Sequence, residues 1–399
     1  MIDLKAARAD PDGVRAALAR KGAADAFDAL LRADERWRAL VPRVDELRGR
    51  TKLKGRPTPE QLEELQCVKE ELKAAEEELA AAEAARDELA LRVPNPPHPS
   101  VPDGTREEDA VEVRRVGDPP ELADPLEHTE VGRFEMERAA KISGSRFGYW
   151  VGDTALLALA LYRLALDRLA AKGFVTVLPP VLVREEALVG TGWFPATEPN
   201  VYELATDDLY LAGTAEIPLG GLHLGELLEA DALPLRYVGF SPCFRREAGA
   251  AGRDTRGMIR VHQFNKVEQF SFTRPEDSWD EHEFLLANTE EIVRDLGLPY
   301  RIVVLPTGDM STASAKTYDV EIWFPGQDRY RETASISNTT DFQARRLGTR
   351  YRANGAPQPV HTLNGTAVVD RMALAILENF QGEVPDVLRP YGAPDRISR

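Results

Sequence analysis

The sequence has little cysteine or histidine and no long apolar run. Cys67 and Cys243 are its only cysteines in 399 residues and cannot form a disulfide framework, which indicates a reducing compartment. The six histidines include no pair at zinc-ligand spacing. The most apolar run, Ala155 to Tyr162, stops at Arg163 and is too short to span a bilayer, and the N-terminus lacks the apolar region of a signal peptide. We therefore expect a soluble, cytoplasmic protein with no membrane partner.

Positive charge is also scarce. The chain has 50 lysines and arginines against 66 aspartates and glutamates, a formal net charge of −16. Such a balance argues against indiscriminate binding of nucleic acid, because phosphate contacts need a local excess of cations. Any nucleic acid would have to meet a local basic patch. The length of 399 residues suggests two domains.

Apolar residues near the N-terminus recur at alternating spacings of three and four, which is typical of a coiled-coil seam. One run covers residues 30–47 and a second covers residues 65–93. Between them, Gly49 and Gly55 can reverse the chain, and the segment 58–61 supplies an N-cap threonine, a first-turn proline and a capping-box glutamine. The pattern predicts an antiparallel helical hairpin whose second helix is about 50 Å long.

Three further positions bear on this N-terminal region. Arg86 occupies a seam position, and Pro42 lies inside the first helix, where a proline costs about 3 kcal/mol or forces a kink. Upstream, Asp10 is expected to cap a short helix that has Pro11 in its first turn. Arg86 and Pro42 are the two positions that do not suit the predicted hairpin, so they test whether it forms as the spacing predicts.

The turn of the hairpin is basic, whereas its second helix is rich in glutamate. The basic residues of this arm tip are Arg43, Arg48, Arg50, Lys52, Lys54 and Arg56. One interpretation is that a coiled coil needs charged outer faces for solubility. The alternative is that the tip holds a phosphate backbone, which would make it a nucleic-acid contact.

The chain changes character after the proline-rich segment PNPPHPSVP, residues 94–102. Apolar strands, turns and short helices then alternate without a βαβ repeat, a dinucleotide motif or a P-loop. Residues 153–172 predict an amphipathic helix that ends at Gly173, and FVTVLPP predicts a strand. We predict an α+β protein with a helical domain at 1–102 and, at 103–399, a mostly antiparallel sheet flanked by helices.

The stretch FRREAGAAGRDTRGMIRVHQFNKVEQF, residues 244–270, concentrates basic residues in an acidic chain. Strand alternation predicts that Arg245 and Glu247 project together. The second strand, taken to begin at Ile259, is predicted to place four side chains on one face: Arg260, Phe264, Lys266 and Glu268. This hairpin offers cations, an aromatic ring and carboxylates, which suit a nucleotide. By composition alone, a salt-bridged surface hairpin is an equal alternative.

The whole string resembles the second signature of class II aminoacyl-tRNA synthetases, and specifically of the seryl-tRNA synthetase family. HTLNGTAVVDRMALAILENFQ resembles the third signature, and the helix ending in FVTVLPPVLV resembles the first, whose role in the family is dimerisation. GTAEIPL, KTYDVEIWFPGQDRYRETASISNTTDFQARR and the N-terminal hairpin are similar to the family as well. The resemblance covers essentially the entire chain.

The resemblance implies a class II antiparallel catalytic domain with a coiled-coil arm, working as a homodimer. It implies a ligase that activates L-serine with ATP and Mg²⁺ to seryl-adenylate. The seryl group is then transferred to the 3′ end of tRNA(Ser), whose long variable arm would meet the coiled coil. Whether tRNA(Sec) is also charged is left open.

The family's ATP site maps onto residues of the second and third signatures and of ETAS. These are Arg245, Arg246, Glu247, Arg260, Val261, Phe264, Glu332, Thr333, Ala334, Ser335 and Arg371. By resemblance, Arg245 binds the α-phosphate, Glu247 accepts from the adenine amino group, Phe264 stacks on adenine, Arg260 approaches the phosphates and Arg371 meets the γ-phosphate. Glu332 and Ser335 would hold Mg²⁺; because strict alternation puts them on opposite faces, we expect a bulge or turn there.

The serine site implied by the resemblance comprises Thr214, Ala215, Glu216, Arg245, Glu268, Asn364 and Thr366. Arg245, Glu268 and Arg371 would be the catalytic residues. No nucleophilic side chain is required, since the serine carboxylate itself attacks the α-phosphorus and catalysis consists of positioning and charge neutralisation.

Some positions depart from the family pattern. Ala334 and Ile336 stand where the family usually has a polar and a sulfur-bearing residue, and Asp370 directly precedes Arg371. One alternative is therefore a second-copy enzyme that serves natural-product biosynthesis or resists an inhibitor. The other is a non-catalytic RNA-binding protein on the same fold, against which the retention of Arg245 and Glu332 argues.

Overall fold

A computed structural model describes residues 1–52, 58–196, 198–248, 257–353 and 355–398. They divide into two compact units, Met1–Pro96 and Pro97–Arg399. The sequence groups residues 97–102 with the N-terminal domain, but in the structure this segment bonds to the second unit. The His98 amide donates to the Ala315 carbonyl (2.8 Å), and the Thr307 amide donates to the Pro102 carbonyl (3.0 Å).

The first unit is helical. Its helices are α1 (Leu4–Ala9), α2 (Pro11–Ala19), α3 (Ala24–Arg50) and α4 (Pro59–Arg92). The Asp10 carboxylate accepts from the Gly13 amide at the start of α2, as the sequence predicts. Thr58 and Gln61 form a reciprocal capping box at the start of α4. The predicted helix starts are thus confirmed.

Helices α3 and α4 form an antiparallel pair. Ion pairs join later residues of α3 to earlier residues of α4, from Arg36 with Glu78 to Arg50 with Glu64. The predicted seam is buried at Leu40, Val44, Leu47, Val68, Ala75 and Ala82. At 34 residues and 1.5 Å per residue, α4 is about 50 Å long.

Both misfits in the seam are accommodated. Helix α3 continues from Ala24 to Arg50 with Pro42 inside it. The Arg86 guanidinium lies 4.1 Å from the centroid of the Trp37 ring, within cation–π distance. Arg86 therefore covers an aromatic partner on α3 instead of leaving a charge at an apolar contact.

The second unit mixes strands and helices. Its helices are α5 (His128–Val131), α6 (Met136–Ser143), α7 (Asp153–Ala171), α8 (Glu185–Thr191), α9 (Glu216–Gly220), α10 (Ser278–Asp295), α11 (Phe342–Leu347) and α12 (Asp370–Phe380). Its strands are β1 (Val111–Val116), β2 (Phe134–Glu135), β3 (Tyr149–Trp150), β4 (Val175–Val177), β5 (Leu182–Val183), β6 (Tyr202–Leu204), β7 (Leu209–Leu211), β8 (Leu227–Leu228), β9 (Leu235–Phe244), β10 (Gln263–Thr273), β11 (Tyr300–Val304), β12 (Lys316–Phe324), β13 (Arg329–Asn338), β14 (Arg350–Ala353), β15 (Ala356–Pro359) and β16 (His361–Val369).

The main sheet of the second unit has the order β1-β11-β12-β13-β16-β10-β9-β4 among the described residues. Its neighbours pair antiparallel, except that β4 runs parallel to β9. Helices α7, α10 and α12 pack their apolar faces with this sheet in the largest buried cluster. The predicted α+β class, the antiparallel sheet and the helix at 153–172 are confirmed.

Three register shifts interrupt the ladders of this sheet among the described residues: one lies on β1 between Glu112 and Arg114, and the other two lie at the cleft. On β13, Thr333 is the extra residue, because Val320 pairs with Ala334 and Glu321 pairs with Glu332. On β16, the register against β10 shifts between Val267 and Glu268. An extra residue reverses the side-chain alternation on one side of it.

None of the helices, within the residues described, combines the length and apolar character that crossing a membrane requires.

Candidate active site

A cleft of about 550 Å³ opens on the sheet of the second unit. Its walls come from β10, β13 and β16, from the segment before β10 and from the residues that follow α8. Both polar and apolar side chains line it, which is typical of a site for a small molecule.

The ends of the β9–β10 hairpin hold Arg245, Glu247 and Arg260 at the cleft. The strands are shorter than predicted, since β9 ends at Phe244 and β10 begins at Gln263. Strand alternation therefore does not make Arg245 and Glu247 project together, nor does it place Arg260 on the face of Phe264, and both of these expectations are wrong. Glu247 instead has a φ of 52°, and its carboxylate forms a short ion pair with the Arg260 guanidinium. This pair joins the two sides of the hairpin at the cleft.

Within β10, the predicted face does form. Phe264, Lys266 and Glu268 all line the cleft. The Lys266 ammonium lies 2.5 Å from a carboxylate oxygen of Glu268, and both side chains are buried. The Arg245 guanidinium lies 5.3 Å from the centroid of the Phe264 ring. Cation and aromatic ring are thus adjacent, as recognition of a nucleotide requires.

The opposite wall carries Arg371 and the bulged strand β13. Arg371 is the second residue of α12, and its Nη1 lies 3.1 Å from Glu332 Oε2. Its Nη2 also donates to the Ile259 carbonyl (3.3 Å). The guanidinium therefore joins β13 to the segment before β10.

The bulge at Thr333 brings Glu332 and Ser335 together, which confirms the bulge predicted there. Ser335 Oγ lies 3.4 Å from Glu332 Oε1 and donates to Asp319 Oδ1 at 2.6 Å. Burial, together with the neighbouring Glu332 carboxylate, raises the pKa of Asp319. The result is a group of oxygen donors with an excess of negative charge.

The other end of the cleft is built around Glu216. Its carboxylate accepts from Gln343 Nε2 (2.8 Å) and from Asn364 Nδ2 (3.0 Å). Burial raises the pKa of Glu216 to about 7, and the nearby Glu268 carboxylate adds to this effect. Thr366 Oγ1 donates to Glu268 Oε2 across the β10–β16 pair (3.3 Å). Two carboxylates therefore face a space that a cationic group can fill.

Most residues assigned by the sequence line this cleft, but three side chains do not. Among the assigned residues that line it are Thr214, Glu216, Arg245, Glu247, Arg260, Val261, Phe264, Glu268, Glu332, Thr333, Ser335, Asn364, Thr366 and Arg371. Ala334 packs in the main core, and Ala215 packs against Leu219 in a second one. Arg246 contributes its backbone amide to the Asn200 carbonyl (2.9 Å). None of these three residues is among those that line the cleft.

Some residues and contacts at the site are not predicted from the sequence. Lys266 is predicted on the right face, but its ion pair with Glu268 is not predicted. Trp193 lies outside the assigned set and lines the cleft, and Asp319, also outside that set, accepts a hydrogen bond from Ser335. Asp319 belongs to the KTYDVE part of the string quoted above, on the strand that precedes ETAS. An acidic residue on a strand next to ETAS is the sequence signal that could have identified it.

Asp370, the departure next to Arg371, is buried in a polar contact. Its carboxylate accepts from the Tyr162 hydroxyl of α7 and from the Asn265 amide of β10 (3.0 Å). Burial raises its pKa to about 6, although these two hydrogen bonds lower it. Asp370 therefore connects the start of α12 to α7 and β10.

The arm tip places its described arginines beside the acids of α4. The ion pairs are Arg43 with Glu78 (3.7 Å), Arg48 with Glu76 (2.9 Å) and Arg50 with Glu64 (4.0 Å). Lys52 is exposed, whereas Lys54 and Arg56 lie outside the described residues. Solvent-exposed cations are therefore present at the tip, although glutamates of the same hairpin accompany them.

Comparisons with known proteins agree with this geometry. Residues 201–380 match the tRNA synthetase class II core domain (G, H, P, S and T), and residues 1–97 match the seryl-tRNA synthetase N-terminal domain. A serine–tRNA ligase of Thermobifida fusca is 46% identical over 99% of this chain and 98% of its own. One of Heliobacterium modesticaldum is 45% identical over 100% of both chains.

Solved structures give the same result. The seryl-tRNA synthetase of Pyrococcus horikoshii, crystallised with ATP, is similar at a TM-score of 0.93 and 40% identity over 100% of this chain and 99% of its own. The cytoplasmic serine–tRNA ligase of Naegleria fowleri, in complex with AMP, is similar at a TM-score of 0.89 and 32% identity, covering 98% and 96%. With both domains matched in order along the full length, the chain belongs to the seryl-tRNA synthetase family of class II aminoacyl-tRNA synthetases.

Proposed function

We propose that this protein is a serine–tRNA ligase that activates L-serine with ATP and transfers the seryl group to the 3′ end of tRNA(Ser). The observation that carries the proposal is the separation of two groups of side chains that line one cleft. The Arg245 guanidinium lies beside Phe264 and that of Arg371 beside Glu332, whereas the carboxylates of Glu216 and Glu268 lie beside Asn364 and Thr366 of β16. Full-length family membership supports the same activity.

The two ends of the cleft suit the two substrates. Phe264 offers a ring face for adenine, and the Glu247 carboxylate can accept from the adenine amino group. Glu216 and Glu268 can accept from the α-ammonium group of serine, and hydroxyl groups of Thr214 and Thr366 can pair with polar groups of the amino acid. The serine carboxylate is then directed toward the α-phosphate near Arg245.

Chemistry in this arrangement needs no nucleophilic side chain. An oxygen of the serine carboxylate forms a bond to the α-phosphorus while the bond to pyrophosphate breaks, and pyrophosphate carries away the negative charge. A ribose hydroxyl of the tRNA terminus then attacks the acyl carbon and releases AMP. Arg245 and Arg371 would stabilise the charge that develops on the phosphates, which is the main catalytic contribution of the protein.

The oxygen donors of β12 and β13 fit a magnesium ion. Mg²⁺ prefers one or two carboxylates together with phosphate oxygens and water, and the bulge at Thr333 supplies the Glu332 carboxylate beside the Ser335 hydroxyl. A cation bound beside Glu332 would also favour the ionised form of Asp319, whose pKa burial and the Glu332 carboxylate otherwise raise. When bound, the ion would neutralise phosphate charge, and Glu332 and Ser335 are the residues proposed to hold it.

Selection of serine would rest on hydrogen bonds and on space. A site that pairs with the substrate hydroxyl rejects an analogue without it by roughly 10⁴-fold, because buried polar groups are left without partners. Alanine is therefore expected to be a poor substrate. Threonine must be rejected by the limited room beside Glu216 and Thr214.

We propose the arm tip as the contact for the long variable arm of tRNA(Ser). Its support is the local excess of exposed cations at Arg43, Arg48, Arg50 and Lys52 in a chain with a net charge of −16. RNA phosphates would replace Glu76 and Glu78 as partners of these arginines. Charging of tRNA(Sec) stays open.

We also propose a homodimer formed through the first signature. Apolar side chains of this region are exposed: Leu156 and Leu159 on α7, Val175 on β4, Leu178, and Leu182 on β5. Exposed apolar residues that recur on consecutive elements of the chain support a protein contact in this region. The cytoplasmic location stays a prediction.

Serine-dependent exchange of pyrophosphate into ATP tests the activation step. We expect exchange with serine, little with alanine or threonine, and none without Mg²⁺. Absence of exchange with serine would favour the non-catalytic RNA-binding alternative. A count of related genes in the source genome separates a housekeeping enzyme from a specialised second copy.

Transfer to tRNA is a separate measurement. We expect charging of tRNA(Ser), and a marked loss when its variable arm is shortened. If shortening the arm leaves the rate unchanged, the assignment of the arm tip fails while the activation chemistry stands.

A further inference from the structure

Trp193 borders the cleft at a position that no signature motif includes. It follows Gly192, the residue that caps the C-terminus of α8 in a left-handed conformation with a φ of 86°. The indole is partly buried and lines the same cleft as Arg245 and Glu216. A large aromatic side chain is therefore fixed at the junction between the two ends of the site.

The indole lies directly on the backbone of Gly213. A Cβ atom at Gly213 would come within 2.8 Å of Trp193 Cη2, so only glycine leaves room for the ring. The carbonyl of the same glycine accepts from Arg245 Nε at 3.2 Å. The Arg245 guanidinium lies 5.6 Å from the Trp193 ring centroid, within cation–π distance. The ring and the glycine carbonyl thus restrain Arg245 together.

The same side chain also contacts the other end of the cleft. Its indole N–H, which can only donate, forms a hydrogen bond with the Glu216 carboxylate and lowers the pKa of that group against the larger effect of burial. The other groups around Glu216 are the charged Glu268 and Lys266 of β10 and the neutral amides of Gln343 and Asn364. Trp193 thus contacts one residue from each half of the proposed reaction.

We propose that Trp193 is a positioning residue that couples the two halves of the site: its ring orients Arg245, and its N–H orients Glu216 for the amino acid. The inference rests on the proposed function, because it assigns Arg245 to the phosphates and Glu216 to serine. It adds a residue outside the class signatures to the activation step. The two contacts use different properties of one side chain, so they can be separated by substitution.

Two variants separate the contacts. Trp193→Phe keeps an aromatic ring and removes the N–H, whereas Trp193→Gln keeps an N–H donor and removes the ring. For Trp193→Phe we expect the KM for serine to rise about fivefold with kcat little changed, because a hydrogen bond to a charged group is lost. For Trp193→Gln we expect kcat to fall about tenfold with a smaller change in KM, because Arg245 loses its aromatic partner.

The pH profile adds a readout that a purely structural role would not move. In Trp193→Phe the acid midpoint of kcat/KM for serine should shift to higher pH, because loss of the N–H leaves burial and Glu268 to raise the Glu216 pKa further. In Trp193→Gln, with the donor retained, the midpoint should stay near that of the unchanged protein. Trp323, which contacts Tyr330 elsewhere, provides the matched control through Trp323→Phe.

The full-length protein with ATP, Mg²⁺ and serine is used in each exchange assay, and thermal unfolding verifies that each variant is folded. Equal losses in both variants, without a shift of the midpoint, would overturn the coupling role. Rates like those of the unchanged protein in both variants would also overturn it. If the unchanged protein shows no serine-dependent exchange, the proposed function fails instead, so the two failures are distinguishable.

Discussion

The arm and the cleft both place basic side chains beside carboxylates, but in different surroundings. In the arm, Arg48 and Glu76 keep 54% and 43% of their side-chain surfaces exposed. In the cleft, Lys266 and Glu268 keep 9% and 2%. Exposed pairs contribute roughly 0–1 kcal/mol, whereas breaking a buried pair is strongly destabilising. The arm's arginines can therefore exchange partners at low cost, and the cleft's charges are fixed in advance.

This contrast predicts which charges matter for which step. Arginines of the cleft should govern activation of serine, and arginines of the arm should govern only the use of tRNA.

Removal of a cleft arginine should have the largest effect. For Arg371→Ala we expect serine-dependent exchange to fall about 100- to 1000-fold, because developing phosphate charge loses a fixed donor. Arg371→Lys should not restore the rate, since a lysine cannot contact Glu332 and Ile259 through two nitrogens. Arg48→Ala is the control and should keep full exchange. Near-normal exchange in Arg371→Ala would remove Arg371 from the proposed mechanism.

The pH dependence of serine use should report Glu216. Its pKa is raised to about 7, and only the ionised carboxylate attracts the serine ammonium group. We therefore expect kcat/KM for serine to fall about tenfold per unit as the pH drops below about 7. Pyrophosphate exchange measured at about six pH values between about 5.5 and 8.5 gives this profile. A kcat/KM for serine that does not vary with pH would contradict the role assigned to Glu216.

The same group makes a prediction for stability. Because the folded-state pKa of Glu216 lies above its ordinary value of 4.5, protonation favours the folded protein, and this stabilisation is lost as the pH rises from about 4.5 through about 7. Glu216→Gln should thus unfold at a higher temperature than the unchanged protein at pH 8, with the difference shrinking toward pH 4.5. Exchange activity of this variant should be reduced at every pH, because the neutral amide no longer attracts the serine ammonium group. A difference in Tm that does not vary with pH would argue against the raised pKa.

Changes in the arm should separate transfer from activation. For Arg48→Ala combined with Arg50→Ala we expect kcat/KM for tRNA(Ser) to fall about tenfold. The slope of the logarithm of tRNA affinity against the logarithm of salt concentration should become shallower by about one for each lost phosphate contact. Pyrophosphate exchange should be unchanged. Glu76→Gln is a useful counterpart, because removal of the competing carboxylate should strengthen tRNA binding. If the double variant charges tRNA(Ser) at the normal rate, the arm tip does not contact the tRNA, and its basic residues serve only the solubility of the coiled coil.

The smallest effect is expected at the seam of the arm. For Arg86→Ala we expect the local stability of the hairpin to fall by about 1 kcal/mol, because the contact with Trp37 is lost. Amide hydrogen exchange of α3 and α4 in the full chain measures this. Arg92→Ala, at an exposed pair with Glu88, should change it by less than about 0.5 kcal/mol. Equal protection in both variants would show that the Arg86 contact adds nothing to the arm.

The sequence predicts the arm and the cleft to different degrees. The arm's seam, Thr58 cap and Asp10 cap follow from repeated spacing and local capping rules, and the structure confirms them. In the cleft, alternation correctly predicts the face of Phe264, Lys266 and Glu268. It fails for Arg245 and Glu247 because β9 ends before them, and for Arg260 because β10 begins after it.

The remaining features depend on contacts between distant parts of the chain. The bulge at Thr333 could be predicted because two assigned donors had to share a face. The contact between Tyr162 and Asp370 joins residues 208 positions apart, and the contact of Trp193 with Gly213 depends on how two loops pack. Local periodicity carries no information about such pairs, so only the folded structure reveals them.

The tryptophans of the two regions offer a way to observe each region separately. Trp37 is the only one of the chain's five tryptophans in the N-terminal unit, and it lies against Arg86; Trp193 lies near Arg245 in the cleft. Indole emission depends on nearby charge and on exposure to water. A variant that retains Trp37 alone would therefore give an optical signal for RNA at the arm, and one that retains Trp193 alone would give a signal for ligands in the cleft.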